Sequence, residues 1–267
     1  MKGLFFAFFA YTAALCQTPD EQIFAKKMEL RRGSTKAETA LMLAQSLVGS
    51  PYVPHTLEQT PETLLCNLRQ YDCYTLLENV LSLMLTRESR GAFSDYKQFI
   101  EKMRYRNGLI NGYGSRLHYF LEWIEQAQKY NYLRDITPDL GGQPIQKNIH
   151  FMTAHRALYP ALTTGQVEKT IADVEKKLSK KTWYFIPKNK VSGILSKLKD
   201  GDMVAFTSAK EGLDFNHQGF VIRKNGQVYL LHASSDRRQV VVSSETLLEY
   251  LFKMKHHSGI VVLRLNQ

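Results

Sequence analysis

Asn225-Gly226 stands between two apolar, β-branched runs, His217–Arg223 before it and Gln227–Ser234 after it. No other feature restricts the chain as much. A two-residue Asn-Gly loop adopts the tight turn whose twist matches paired strands, so the two runs must fold back as an antiparallel hairpin. The turn length also sets the register. His217 then faces Ser234 and His232 faces Gly219, which puts two imidazoles on one face of the sheet as diagonal neighbours, close enough to interact. Gly219 has no side chain and leaves room opposite His232. One histidine in such a place is an ordinary core residue; two on one face point to chemistry.

Cys73 supplies the other half of a reactive site. Asp72 is a good N-cap, and Leu76, Leu77, Val80, Leu81 and Met84 follow at helical spacing, so the pattern predicts a helix with Cys73 in its first turn. There the helix dipole favours a thiolate, and the unpaired backbone N–H groups can hold an oxyanion. A thiolate facing paired histidines is the layout of a cysteine nucleophile, a base and an orienting residue. The three lie far apart in sequence, as expected of a site assembled by folding.

The compartment bears on how that cysteine reads. Lys2 followed by the apolar stretch Leu4–Leu15, with Ala14 and Cys16 as small residues before Gln17, has the form of a secretory signal peptide. At about a dozen residues the stretch is too short to span a bilayer, and no other apolar run is long enough. The chain is therefore expected to be exported to the periplasm, as a soluble monomer rather than a lipoprotein acylated at Cys16, because Leu15 precedes that cysteine. Cys66 and Cys73 then remain. A disulfide is the plain expectation in an oxidising compartment, a free reactive thiol the sharper one. A nucleophilic Cys73 requires the second, with Cys66 a small buried apolar residue.

The pattern along the chain is α+β. Thr35-x-x-Glu38 opens a helix to Gly49 as a capping box, and the middle to about Lys199 reads as mostly helical, with helices at Ser94–Tyr105, Leu117–Tyr130 and Thr164–Lys180. Strands are concentrated at the end: Asp202–Thr207, the hairpin, Val240–Val242 and Ile260–Leu265, with a helix at Thr246–Met254. Helices first and strands last is not alternating βαβ. Residues 17–267 are expected to form one catalytic domain with a large helical insertion at about 90–199. At 267 residues and 44% hydrophobic the chain can bury a full core. Its net charge of +10 permits anionic partners without selecting one. The chain shows no nucleic-acid motif, and export argues against that partner. The lysines between Lys176 and Lys199 read as a solvated face, and His256-His257 as an exposed basic loop.

Asp72-Cys73 opening a helix, Gly201-Asp202-Met-Val-Ala-Phe, His217-Gln-Gly-Phe-Val-Ile and Leu231-His232-Ala233-Ser234 resemble, in order, the marks of NlpC-type papain-like cell-wall peptidases. GSPYVPHTLE at Gly49–Glu58, SRLHYFLEWI at Ser115–Ile124, HFMTAH at His150–His155 and GLDFNHQGF at Gly212–Phe220 resemble one branch more closely, the N-acetylmuramoyl-L-alanine amidase-like family of bacterial exported proteins. The resemblance runs from about Leu41 to the C-terminus. It implies a papain-like core, a nucleophile helix packed on an antiparallel sheet. It further implies Cys73 as nucleophile, His217 as base and then acid, His232 as the orienting residue, and no cofactor or metal. The implied substrate is a muropeptide, including the anhydro form, cut between N-acetylmuramic acid and L-alanine. Where NlpC sequences usually follow the nucleophile with Ser-Gly, Tyr74-Thr75 stand here, which implies a modified pocket.

Other residues are candidates for binding. Arg116 suits a carboxylate, and His118 lies in the same glycine-flanked segment. Tyr52 can cover a sugar face. Asp214 precedes the His217 strand as turn residue or ligand contact, and Ser234 faces His217. Three other readings stand beside the amidase. One is a γ-D-glutamyl-diaminopimelate endopeptidase of the same superfamily, and another is a non-catalytic wall-binding module. The third, a zinc hydrolase, lacks an H-E-x-x-H or C-x-x-C ligand set.

Overall fold

The computed structural model describes residues 17–163 and 165–267; the expected signal segment with Cys16, and Thr164, lie outside the described residues. In chain order the elements are α1 (Pro19–Glu29), α2 (Lys36–Gln45), α3 (Cys73–Ser89), α4 (Phe93–Arg104), α5 (Phe120–Lys129), β1 (Leu133–Asp135), β2 (Gln143–Ile145), α6 (Phe151–Ala154), α7 (Gly165–Ser179), β3 (Trp183–Pro187), β4 (Met203–Ser208), β5 (Phe215–Lys224), β6 (Gln227–Ser234), β7 (Gln239–Thr246), α8 (Leu247–Lys253) and β8 (His257–Leu265). The strands form one sheet of order β2-β3-β8-β4-β5-β6-β7, with β1 also on β8, and each pairing is antiparallel.

The hairpin follows its turn. Lys224 pairs with Gln227, Val221 with Leu230 and Phe220 with Leu231, and both turn residues are left-handed, Asn225 at φ 50° and Gly226 at φ 79°. Alternation then divides the sheet into two faces. Phe220, Ile222, Leu231 and Ala233 join the core that contains α3, whereas Val221, Leu230, Val204 and Phe206 pack against Leu247 and Leu251 of α8.

Helix α3 lies at the centre. The expected buried stripe is there, but Glu78, Asn79, Ser82 and Thr86 are buried as well, because α1, α2 and α4 cover one side of the helix and β5 and β6 the other. Buried polar groups need partners. Glu78 receives the guanidinium of Arg104, Nη2 to Oε2 at 2.5 Å, and Asn79 accepts from the Tyr96 hydroxyl while donating to Thr75 O at 2.7 Å.

Two expectations are corrected. The middle of the chain is not simply helical: β1, β2 and β3 interrupt it, and β1 and β3 both pair with β8. These strands are three to five residues long, too short to show an alternating pattern, and exist through their distant partner. The Thr35 cap is half a box. Its hydroxyl accepts from Glu38 N–H at 3.1 Å, but the Glu38 carboxylate takes the N–H of Ser34 instead of reaching back to Thr35. Helix α1 carries a full capping box at Thr18. No described helix is long and apolar enough to cross a membrane.

Candidate active site

Asp72 caps α3 reciprocally. Its Oδ1 accepts the Thr75 N–H at 2.7 Å, and Thr75 Oγ1 accepts the Asp72 N–H at 2.9 Å, so Cys73 is the first helical residue. The Tyr74-Thr75 pair thereby acquires a physical meaning. Thr75 completes the cap, and Tyr74 donates from its hydroxyl to Leu117 O at 2.9 Å while its ring packs edge-on against Phe120 at 5.8 Å. Cys73 is half-buried, and Cys66 and Cys73 carry free thiols. Backbone N–H groups of Gln218, Cys73 and Tyr74 turn toward the Cys73 sulfur and favour its anion, yet burial and the Asp72 carboxylate prevail and push the thiol up to about 12. The expected resting thiolate is therefore corrected to a neutral thiol. Burial holds Cys66 near 11 as well.

The two histidines meet as the hairpin register requires. His217 Nε2 and His232 Nδ1 are 2.7 Å apart, with ring planes at 86°. One nitrogen of that bond must carry the proton and the other a lone pair. Burial and the neighbouring imidazoles hold His217 well below its ordinary range, and burial lowers His232 to about 4. Gly219 makes the approach possible: a Cβ there would lie 2.7 Å from Leu231 O and 2.9 Å from His232 Cβ.

Two further residues complete this cluster, and the sequence reading missed both. Tyr250 of α8 packs its ring against His217 at 5.9 Å and His232 at 5.2 Å. His257, read as an exposed loop residue, is buried at the start of β8 and stacks on Phe206 at 4.6 Å. Nothing local marked them, because α8 and β8, late in the chain, bring them in, β8 by pairing with β4. Among the described residues the sulfur reaches the backbone of Gln218, next to His217, rather than the ring itself. This one ring borders both imidazoles, and burial pushes the Tyr250 phenol well above its ordinary range.

The expected binding residues separate. Tyr52 is half-buried near Cys73, and burial raises its phenol to about 12. Ser234 is buried, accepts the Arg237 N–H at 3.2 Å and borders two cavities, of about 440 and 190 Å³, which meet at Tyr250; His232 lines the first and His217 the second. A third, separate cavity of about 150 Å³ is lined by Asp72 and Tyr74, the neighbours of Cys73, and by Arg116 and His118 among others. The carboxylate role for Arg116 is corrected. Its guanidinium already donates to Leu57 O at 2.6 Å and Glu58 at 2.7 Å, and it covers the Tyr113 ring. Asp214 is corrected too: it is buried and caps α5, accepting the Leu121 N–H at 2.9 Å, and burial lifts it to about 6. Among the described residues no group of three or more His, Cys, Asp or Glu side chains could hold a metal ion.

An antiparallel sheet that presents an imidazole pair, flanked by a helix that opens on a cysteine, defines an α+β protein. The chain belongs to the AmiA-like family, N-acetylmuramoyl-L-alanine amidase-like proteins, whose pattern it matches over residues 42–260. A solved N-acetylmuramoyl-L-alanine amidase from Bacteroides uniformis is 34% identical, with a TM-score of 0.83 over 87% of this chain and 99% of that one. A Bacteroides fragilis structure described as a candidate xylanase is 35% identical, with a TM-score of 0.80 over 84% and 99%. A Legionella pneumophila protein at 19% identity, TM-score 0.67 over 93% of each chain, shares the fold. No curated protein matches the chain.

Proposed function

We propose that the protein is a cysteine-dependent N-acetylmuramoyl-L-alanine amidase with an NlpC-type, papain-like core, acting on muropeptides, including anhydro forms. The observation that carries this reading is the 2.7 Å bond between His217 and His232 on the hairpin whose Gln218 N–H reaches the Cys73 sulfur. Thiol and imidazole are both neutral at rest, so His217 acts as a true base. It takes the Cys73 proton as the sulfur attacks the lactyl carbonyl, and backbone N–H groups at the start of α3, including that of Cys73, stabilise the oxyanion. His217 then gives the proton to the alanine nitrogen, and the C–N bond breaks, leaving a thioester on Cys73. Water, deprotonated by His217, attacks the thioester and releases the lactyl acid while Cys73 recovers its proton. His232 holds the ring of His217 in one tautomer.

The reading places the enzyme outside the cytoplasm, with the mature chain beginning at Gln17. N-terminal sequencing of protein from the periplasmic fraction tests this, and a chain beginning at Met1 would refute it. Mass spectrometry of a digested, defined muropeptide tests the activity. Release of an intact stem peptide from the sugar supports the amidase. Cleavage after the D-glutamyl residue would instead make the protein an endopeptidase.

A further inference from the structure

The cavities lined by the imidazole pair and the cavity lined by the two chain neighbours of Cys73 are unlike one another, and the chemistry assigns them opposite ends of a substrate. The proton acceptor in attack is the proton donor to the departing nitrogen, so the leaving peptide must lie on the imidazole side of the sulfur. That side holds the two cavities lined by His217 and His232, of about 190 and 440 Å³. The acyl part must lie away from the imidazoles, and Asp72 and Tyr74, the two neighbours of Cys73, line a separate cavity of about 150 Å³ that neither His217 nor His232 borders. This volume is below the roughly 300–1,000 Å³ usual for a whole ligand, so it takes a substituent.

Its walls define that substituent. The Arg116 guanidinium is occupied by Leu57 O and Glu58. His118 Nε2 is 2.9 Å from Tyr113 O. A carbonyl only accepts, so Nε2 carries the proton and Nδ1 keeps a lone pair. Burial and the Arg116 charge keep this imidazole neutral, with a pKa near 3. Beside the apolar Leu57 and Leu117, the polar wall offers Nδ1 of His118 and the carboxylates of Glu58 and Asp72 as hydrogen-bond acceptors, together with the His55 ring. Acceptors of this kind fit a hydrogen-bond donor, and the two leucines fit a small apolar end beside it.

We infer that this cavity is the acyl-side subsite and that His118 there accepts a hydrogen bond from the N–H of the acetamido group on the substrate's sugar. The inference rests on the amidase reading. It makes His118 a specificity residue for N-acetylated sugar and Arg116 a positioning residue behind it. The test compares kcat/KM for an N-acetylmuramyl peptide with that for the same lactyl peptide lacking the sugar. In His118→Phe the ratio of the two falls about five- to tenfold, the worth of one neutral hydrogen bond. His118→Asn, whose Oδ1 occupies the place of Nδ1, restores most of it. If His118→Phe does not fold, an N-methylacetamido substrate with the wild-type enzyme must show the same fall. An unchanged ratio with the Phe variant, or equal rates on N–H and N-methyl substrates, overturns the inference. Failure of the wild-type enzyme to cut the muramyl–alanine bond in any of these substrates overturns the amidase reading itself.

Discussion

Adding one methyl group at Gly219 tests the connection between hairpin register and chemistry. A Cβ there would lie 2.7 Å from Leu231 O, 2.8 Å from Leu230 Cδ1 and 2.9 Å from His232 Cβ. Two of these are backbone or backbone-proximal atoms that no rotamer change can withdraw. Carbon atoms rest about 3.5–4.0 Å apart, so His232 must retreat by roughly 1 Å. Overpacking of this kind costs about 1–3 kcal/mol, which lowers the Tm of a chain this size by about 2–4 °C for each kcal/mol. The larger effect falls on the reaction, because a misplacement near 1 Å costs on the order of 100-fold in rate. Gly226→Ala is the control. Its φ of 79° makes a side chain strained, by about 1–2 kcal/mol, but nothing lies within 4 Å of the new methyl. Thermal melting and turnover of a muramyl peptide, measured on both variants, separate the effects. Gly219→Ala should lose both stability and turnover, Gly226→Ala stability alone. Unchanged turnover in Gly219→Ala would refute the argument that this glycine exists to bring the imidazoles together.

Other outcomes follow from the same site. His217→Gln should abolish turnover, whereas His232→Gln, which keeps a hydrogen-bonding group, should retain a measurable rate; equal and complete loss in two folded variants would merge the roles. The base must be neutral, and burial holds His217 well below 6.5, so kcat/KM should stay level as pH falls through 6.5; an acid limb at 6.5 would contradict the burial of the pair. His118, His232 and His257 have folded values near 3, 4 and 4, below their unfolded 6.5, so the folded state binds fewer protons than the unfolded one in that interval. Their contribution is complete above pH 6.5 and is lost as pH falls toward 4, which melting curves across that range should register as a declining Tm. Arg104→Met strands the Glu78 carboxylate inside the protein and should cost about 3–5 kcal/mol in urea unfolding, while Arg104→Met with Glu78→Met should cost less.

The reach of the sequence is clearest in the hairpin and in α3. Asn225-Gly226 admits one turn, the turn admits one register, and that register alone places His217 diagonal to His232; Asp72 likewise marks the residue at which α3 begins. Caps and two-residue turns are decided by neighbours along the chain, so they can be read without the fold. Strand β3, Tyr250 and His257 could not be read this way. Their positions depend on β8 lying between β3 and β4, and on α8 packing across the same sheet face as the imidazoles. The resting state of Cys73 is also a tertiary property. A helix start by itself favours the thiolate, and only the burial of that turn against the sheet, with Asp72 beside it, makes the neutral thiol prevail. Arg116 and Asp214 carry the same lesson. Their residue types suggested ligand contacts, but Glu58 and the first turn of α5 claimed their charges, because a buried ionic group must find its partner inside the protein.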